Sequence, residues 1–223
     1  MLNGPSCPPK SGGRPKQLVV LLHGIGADGN DLIGLAPYYQ TVLPDALFVA
    51  PNAPFPCDMA PFGFQWFSIR NLQPETRLAG ARRAAPFVDA FIDAQLDRHK
   101  LTEKNMVVIG FSQGAMIGLH VGLRRQRPLA GLISHSGMLI GENLLNTGIT
   151  ARPPVLLTHG AIDDVVPVAA LSVAATALQS CGVPVEAHTI PGLGHGIDES
   201  TIRLDLQFLR KVFPGEGATR NPG

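Results

Sequence analysis

The side chains most able to do chemistry together in this chain are a serine, an acid and a histidine, in that order. Ser112 lies at the centre of Gly-Phe-Ser-Gln-Gly at 110–114, between the apolar run 106–109 and a helical pattern. A strained turn from strand to helix would expose a serine hydroxyl there, because glycine tolerates close packing and unusual backbone angles. The five-residue pattern also occurs by chance in glycine-rich chains, so its interpretation depends on partners elsewhere.

The partners that a serine nucleophile needs follow two later predicted strands. A hydroxyl becomes nucleophilic when an imidazole takes its proton and a carboxylate orients that imidazole. Asp163 and Asp164 come after the predicted strand 153–158, and His195 follows the next one within Pro-Gly-Leu-Gly-His-Gly. Spacing does not choose between the two aspartates, since either could cap the helix beginning near Pro167.

Other histidines compete for the role of base. None of them combines the position on a loop after a late strand with the order serine, acid, histidine that this chemistry follows on a parallel sheet. His195 is therefore the expected base, and the others are expected to be structural or solvated; they are His23, His99, His120, His135 and His188.

A glycine-rich loop at 23–31 supports two different functions. It contains Gly-x-Gly-x-x-Gly after a predicted strand, as dinucleotide-binding domains do. Such domains place an acidic residue at the end of the second strand, whereas strand 46–50 ends in Pro-Asn-Ala and Asp45 lies at its start. The loop therefore better fits a hydrolase, in which its backbone N–H groups and that of Gln113 would stabilise an oxyanion.

The hydrophobic pattern predicts a single α/β domain with a mostly parallel, doubly wound sheet and helices on both faces. Helices are expected at 168–181, along an apolar stripe from Ile202 to Phe213, and at 76–96, where Pro86 should kink the helix or mark its real beginning. Short β-type runs recur at 18–22, 46–50, 106–109, 129–134, 153–158 and 185–190.

Composition limits the partners and the compartment. The formal net charge is +1 and only 16% of residues are charged, which argues against binding of nucleic acid. Three widely spaced cysteines give no disulfide framework and no metal-binding pair. With no apolar segment of signal or membrane-spanning type, we expect a cytoplasmic protein without stable membrane insertion. We expect a domain at 17–213 between flexible tails at 1–16 and 214–223, which are rich in Gly and Pro.

Aromatic residues are concentrated between 55 and 67, a segment that also contains three prolines. Aromatic side chains more often fill cores than bind ligands, but in this segment both roles stay open. The functional interpretation is an apolar wall or lid over the acyl side of the site. The aromatic residues are Phe55, Phe62, Phe64, Trp66 and Phe67.

Taken together, these motifs resemble the phospholipase/carboxylesterase family of α/β-hydrolases, which includes the acyl-protein thioesterases. The likeness extends from Leu18 to Phe213, and its motifs are Leu-Leu-His-Gly-Ile-Gly-Ala-Asp-Gly at 21–29, Gly-Phe-Ser-Gln-Gly at 110–114, His-Gly-Ala-Ile-Asp at 159–163 and Gly-His at 194–195.

The resemblance implies a role for individual residues. Ser112 would be the nucleophile, His195 the base and Asp163 the acid, since Asp163 fills the fifth position of His-Gly-x-x-Asp. The oxyanion hole would be formed by the backbone N–H groups of Ile25 and Gln113. The residues expected to border the substrate channel are Trp66, Phe67 and Ile69 of the segment 66–69.

The chain departs from the eukaryotic thioesterases at two positions, with Ser68 and Ala161 where those proteins usually carry acidic residues. Gly-His-Gly at 194–196 is more similar to the bacterial carboxylesterase branch. We therefore expect a serine hydrolase of carboxylic esters or thioesters that uses no metal or cofactor and acts on a small-molecule ester or acyl substrate. A homodimer is a candidate assembly. The alternatives are a thioesterase or lysophospholipase proper, hydrolysis of amides, and a non-catalytic ligand-binding module on the same fold.

Overall fold

A seven-stranded sheet forms the centre of the protein, as seen in a computed structural model that describes residues 1–214. The strand order is β1-β3-β2-β6-β7-β8-β9, and all neighbours are parallel except β1 and β3. The remaining strands, β4 and β5, form a separate antiparallel pair. The strands are β1 Ser6–Cys7, β2 Gln17–Leu22, β3 Ala46–Val49, β4 Phe55–Pro56, β5 Phe64–Gln65, β6 Met106–Phe111, β7 Gly131–His135, β8 Val155–Gly160 and β9 Val185–Ile190.

Helices cover both faces of this sheet. Alternate residues of β2 belong to two separate apolar cores, with Leu18 and Val20 in one and Val19 and Leu21 in the other. This alternation confirms the predicted α/β fold with a mostly parallel, doubly wound sheet. The helices are α1 Gly29–Ile33, α2 Ala36–Tyr39, α3 Pro74–His99, α4 Gln113–Gly122, α5 Leu145–Gly148, α6 Ala169–Ser180 and α7 Glu199–Val212.

Helix α3 is longer than its sequence pattern indicated. It begins with Pro74 in its first turn and continues through Pro86 to His99, so Pro86 does not mark its beginning. The ring of Pro86 lies at an exposed position, where the missing backbone N–H leaves no buried group unsatisfied. The opposite face, with Ala84 and Val88, packs into the core.

The prediction of a flexible tail over 1–16 is wrong for its middle part. Ser6–Cys7 pairs with β3 as an antiparallel edge strand, and the N–H of Ala50 donates to the carbonyl of Pro5 at 3.0 Å. These bonds satisfy the open edge of β3, a role that a two-residue strand without hydrophobic periodicity does not reveal in the sequence. The other predicted tail begins at Pro214, and residues 215–223 lie outside the described residues.

Two further features bear on compartment and partners. Among residues 1–214, none of the helices combines the length and the apolar character that crossing a membrane requires. The three cysteines, Cys7, Cys57 and Cys181, are all free thiols.

A buried polar cluster joins the sheet to two helices on one face. The hydroxyl of Tyr39 donates to Oδ2 of Asp205 at 2.8 Å, and Nε2 of His135 lies 3.1 Å from the same oxygen. A hydrogen bond of 2.6 Å joins Nδ1 of His135 to Oγ1 of Thr158. Burial and the neighbouring Asp205 carboxylate raise the pKa of Tyr39 well above its usual value, so its hydroxyl remains a donor.

Replacing Tyr39 with Phe should lower the free energy of unfolding by about 1–3 kcal/mol, because a buried carboxylate loses a donor without gaining water. Chemical denaturation at neutral pH measures this loss. Tyr38→Phe is the matched control, since Tyr38 adjoins Tyr39 in the chain and its side chain is 54% exposed. Equal stability of the two variants would contradict the importance of this hydrogen bond.

Candidate active site

Ser112 sits in a strained turn between β6 and α4. Its backbone angles are φ +52° and ψ −118°, a region that non-glycine residues rarely adopt. The turn is enforced by close packing, because a Cβ on Gly110 would collide with the backbone of Ala115 and one on Gly114 with the carbonyl of Leu22. The N–H of Ser112 donates to the carbonyl of His135 at 2.9 Å, which fixes the turn against β7.

The structure brings Ser112, His195 and Asp163 into one line of contacts. Oγ of Ser112 lies 2.9 Å from Nε2 of His195, and Nδ1 of His195 lies 2.8 Å from Oδ2 of Asp163. Because a carboxylate only accepts, Nδ1 carries the proton and Nε2 is free to accept from the serine hydroxyl. The ring of Phe111 packs against the imidazole, with 4.9 Å between the ring centroids.

The Asp163 carboxylate accepts three hydrogen bonds, two at Oδ1 and one at Oδ2. Its Oδ1 accepts from the N–H groups of Val165 and Val166 at 3.0 and 2.8 Å. Burial opposes its ionisation, but the hydrogen bonds from His195, Val166 and Val165 outweigh burial and lower the pKa of Asp163. The acid therefore stays ionised at neutral pH.

A second histidine, which the sequence analysis had not weighed, lies beside the Asp163 carboxylate. Nε2 of His159 is 2.8 Å from the carbonyl of Val166 and 3.2 Å from Oδ2 of Asp163. Since the carbonyl only accepts, Nε2 of His159 carries a proton and donates it to the carbonyl of Val166, which holds this imidazole beside the Asp163 carboxylate. The spacing of His-Gly-x-x-Asp is the sequence signal that could have suggested this contact.

The alternative acid, Asp164, lies apart from this line. Its side chain is exposed and has no hydrogen bond or ion pair within residues 1–214. The structure thus places Asp163, and not its neighbour, against His195. Neither aspartate caps α6, which begins at Ala169 without a side-chain cap.

Gln113 and the loop carrying Ile25, the residues expected to supply the oxyanion donors, both adjoin the turn at Ser112 in the described structure. Gln113 is the first residue of α4, so its N–H has no acceptor within the helix. The loop carrying Ile25 is tied to β5, because the N–H of Gly26 donates to the carbonyl of Phe64 at 2.8 Å. This loop passes close to the turn, since a Cβ on Gly24 would lie 3.2 Å from Cδ1 of Phe111 and 3.5 Å from Cβ of Ser112.

The side chain of Gln113 holds the aromatic segment in place. Its Oε1 accepts from the N–H of Trp66 at 2.8 Å, and its Nε2 donates to the carbonyl of Phe67 at 2.7 Å. The indole N–H of Trp66 donates to the carbonyl of His23 at 2.9 Å, which joins the segment to the glycine-rich loop. Gln113, which was expected to act through its backbone N–H, thus also holds the aromatic segment in place with its side chain.

The residues expected to border a substrate channel lie mostly in the core. Trp66 is completely buried, so its ring offers no surface to a substrate in this structure, contrary to the expectation from sequence. Phe67 is also buried, but it borders a cavity of about 460 Å³ between the aromatic segment and α3, and Ser112 is not among the lining residues. Ile69 is half-buried and packs against the core, whereas Phe62 is 73% exposed.

This geometry has the parts needed for acyl transfer. A hydroxyl, an imidazole and an ionised acid are aligned through contacts of 2.9 and 2.8 Å. Within residues 1–214, no cluster of three or more His, Cys, Asp or Glu side chains is arranged to hold a metal ion. The fold and this arrangement together define a protein of the α/β-hydrolase class.

Comparison with known proteins places the chain within that class. Residues 9–213 match the phospholipase/carboxylesterase family model. The chain belongs to this family, and this membership makes it a carboxylic ester hydrolase.

Individual relatives agree with this assignment. The chain is 30% identical to esterase YpfH of Escherichia coli, with 89% of this chain and 84% of that protein covered. It is 26% identical to an acyl-protein thioesterase 1 homologue of Dictyostelium discoideum, over 88% of this chain and 90% of the relative. The crystal structure of esterase PE8 superposes with a TM-score of 0.91 at 42% identity, covering 95% of this chain and 99% of that chain.

Replacing Gln113 with Glu should loosen the aromatic segment, because a carboxylate oxygen would face the carbonyl of Phe67 in place of a donor. We expect a loss of about 3 kcal/mol in the free energy of unfolding. The only tryptophan, Trp66, should also show a red-shifted fluorescence emission before global unfolding.

The matched control for this change is Gln126→Glu, which makes the same substitution at an exposed position. If the Gln113 variant kept both the stability and the emission spectrum of the control, its side chain would not hold the segment.

Proposed function

We propose that the protein hydrolyses carboxylic esters of small molecules through an acyl-enzyme on Ser112, with His195 as general base and Asp163 as the orienting acid. The observation that carries this proposal is the unbroken line of contacts of 2.9 and 2.8 Å from Oγ of Ser112 through His195 to Asp163. The tautomer imposed by Asp163 is the one that the first proton transfer requires.

In the acylation half-reaction, Oγ of Ser112 attacks the carbonyl carbon of the ester while its proton passes to Nε2 of His195. The resulting oxyanion accepts hydrogen bonds from the N–H groups of Ile25 and Gln113, a contribution of about 3 kcal/mol for each donor. His195 then gives the proton to the departing alkoxide, and the C–O bond of the ester breaks. The acyl group remains on Ser112 and the alcohol leaves.

Deacylation repeats these steps with water. His195 removes a proton from a water molecule as its oxygen attacks the acyl carbon, and returns it to Oγ of Ser112 when the acyl–serine bond breaks. The carboxylic acid is released, and the serine and the neutral imidazole are restored. Since the imidazolium forms twice in each cycle, an ionised Asp163 stabilises both transition states.

The substrates are proposed to be esters of small to medium acyl groups, with thioesters as the alternative. The esterase relatives favour oxygen esters, and the Dictyostelium relative is named as an acyl-protein thioesterase. Matched oxygen esters and thioesters of the same acyl group separate these two possibilities. Action in the cytoplasm and formation of a homodimer stay predictions from the sequence.

Replacing Ser112 with Ala should reduce turnover of p-nitrophenyl butyrate by about 10⁴-fold or more, because the acyl-enzyme cannot form. Steady-state kinetics measures the loss, and mass spectrometry should detect a fluorophosphonate adduct on Ser112 of the unchanged protein only. Ser172→Ala is the control, since its hydroxyl is exposed on α6. Unchanged turnover in the Ser112 variant, with the same far-ultraviolet circular dichroism, would refute the proposal.

Replacing Asp163 with Asn should lower kcat by about 10³ to 10⁴-fold, because the amide would donate to Nδ1 and leave the proton on Nε2 of His195. Asp164→Asn is the matched neighbour and should change kcat by less than about twofold, since surface substitutions away from a site have small effects. The measurement is kcat for p-nitrophenyl butyrate at pH 7.5. The opposite order of effects would move the acid to Asp164.

A further inference from the structure

A pocket of about 280 Å³ opens beside the candidate active site, on the side of the imidazole. Its wall includes Phe111, which precedes Ser112 in the chain, and Gly196, which follows His195. The ring of Phe111 packs against the imidazole of His195 with 4.9 Å between centroids, so the two share one surface. The lining residues are Asp31, Leu32, Leu35, Phe111, Gly196 and Ile197.

The position of the pocket indicates which half of an ester it receives. The departing oxygen takes its proton from Nε2 of His195, so the alcohol portion must lie on the imidazole side of the ester. The oxyanion donors belong to Ile25 and Gln113, neither of which lines this pocket. Since Phe111 of the pocket wall packs against the imidazole that protonates the alcohol, the pocket is placed to receive the alcohol rather than the carbonyl oxygen.

The lining of the pocket combines an apolar wall with a single negative charge. Leu32, Leu35, Phe111 and Ile197 supply the wall, and the exposed carboxylate of Asp31 is the only charged group in the lining. Within residues 1–214, the Asp31 carboxylate has no ion pair or hydrogen bond, so no side chain among these residues neutralises its charge. An aromatic face next to a carboxylate suits an organic cation.

Several loops around the candidate active site also carry negative charge, although Arg77 of α3 contacts Met138 in one of them. The loops at 23–28, 112, 136–141, 161–168 and 191–198, together with α1, contain aspartates but neither lysine nor arginine. A local excess of negative charge raises the local concentration of cationic ligands. The aspartates are Asp28, Asp31, Asp163, Asp164 and Asp198.

We propose that this pocket is the leaving-group subsite of the enzyme and that it selects esters of cationic alcohols, such as amino alcohols and quaternary ammonium alcohols. This inference rests on the proposed function, because it assigns the alcohol side of the same reaction. Asp31 attracts the cationic head, and Phe111 with its aliphatic neighbours covers the carbon atoms of the alcohol. Asp31 is thus a specificity-determining residue that takes no part in the proton transfers.

The test compares two esters of one acyl group, butyrylcholine and its neutral analogue 3,3-dimethylbutyl butyrate. These alcohols have nearly the same shape and differ in charge, so the ratio of their kcat/KM values isolates the electrostatic preference. We expect the unchanged protein to favour the choline ester by about 3- to 10-fold at low ionic strength, a size suited to an exposed charge. High salt should reduce this ratio.

Asp31→Asn should bring the ratio close to one, mainly by lowering kcat/KM of the choline ester, and Asp31→Lys should invert it. The kcat/KM of the neutral ester should stay within about twofold in the Asn variant. The deacylation rate should not change, because both esters give the same butyryl-enzyme. Asp97→Asn, an exposed aspartate on α3, is the control and should leave the ratio unchanged.

Failure of this inference is distinguishable from failure of the proposed function. Labelling of Ser112 by a fluorophosphonate and turnover of p-nitrophenyl butyrate test the acyl-enzyme without any cationic alcohol. If both occur but the ester ratio is the same in the unchanged protein and both Asp31 variants, the subsite is refuted alone. A preference for cationic acyl groups that depends on Asp31 would place the pocket on the acyl side and also overturn it. If Ser112 neither labels nor turns over esters, both proposals fall.

Discussion

The close packing of α4 against β2 and β6 is the constraint on which the candidate site depends. It forces Ser112 into a backbone region that costs about 1–3 kcal/mol, and such strain persists only where the surroundings determine it fully. Here Gly110 and Gly114 leave no room for side chains, and the hydrogen bond to the carbonyl of His135 fixes the serine from the next strand. Packing of the core thus offsets the backbone strain at Ser112 and holds its hydroxyl at the edge of the sheet.

The second requirement is an imidazole with a defined tautomer. The Asp163 carboxylate meets this requirement because one of its oxygens is held by the backbone and the other faces the imidazole. Oδ1 accepts two backbone N–H groups of its own loop, which fixes the carboxylate in position. Oδ2 faces the two imidazoles of His195 and His159. Because the donors outweigh the effect of burial on its pKa, the acid remains charged while it is shielded from water.

Much of this arrangement could be predicted from the sequence because it depends on local patterns. The apolar runs located β9 at its observed bounds, and the order of Ser112, Asp163 and His195 agreed with the loops that now bring them together. The choice between Asp163 and Asp164 was open on spacing alone, since adjacent residues of a loop can point in any direction. Only the hydrogen bonds of the folded loop distinguish them.

Features that depend on distant contacts were not predictable in the same way. The two-residue strand β1 has no periodicity, and its role arises from the open edge of β3. Trp66 was expected near the substrate, but the burial of its ring follows from bonds to His23 and Gln113, which lie 43 and 47 positions away. An aromatic residue in a proline-rich segment looks the same in the sequence whether it covers a site or fills the core.

The buried cluster around Asp205 links the two halves of the candidate site. His135 accepts the N–H of Ser112 through its carbonyl, while its imidazole lies 3.1 Å from Asp205 on α7. The same helix starts just after the loop that carries His195, and Asp198 fixes that start by accepting from the N–H groups of Ser200 and Thr201. Helix α7 is therefore fixed at its capped beginning and through the contact of Asp205 with His135. As a result, the loop that carries His195 and the turn that carries Ser112 are both attached to the same helix. A distance of 2.9 Å between side chains 83 positions apart therefore follows from the core beneath them, rather than from the loops alone.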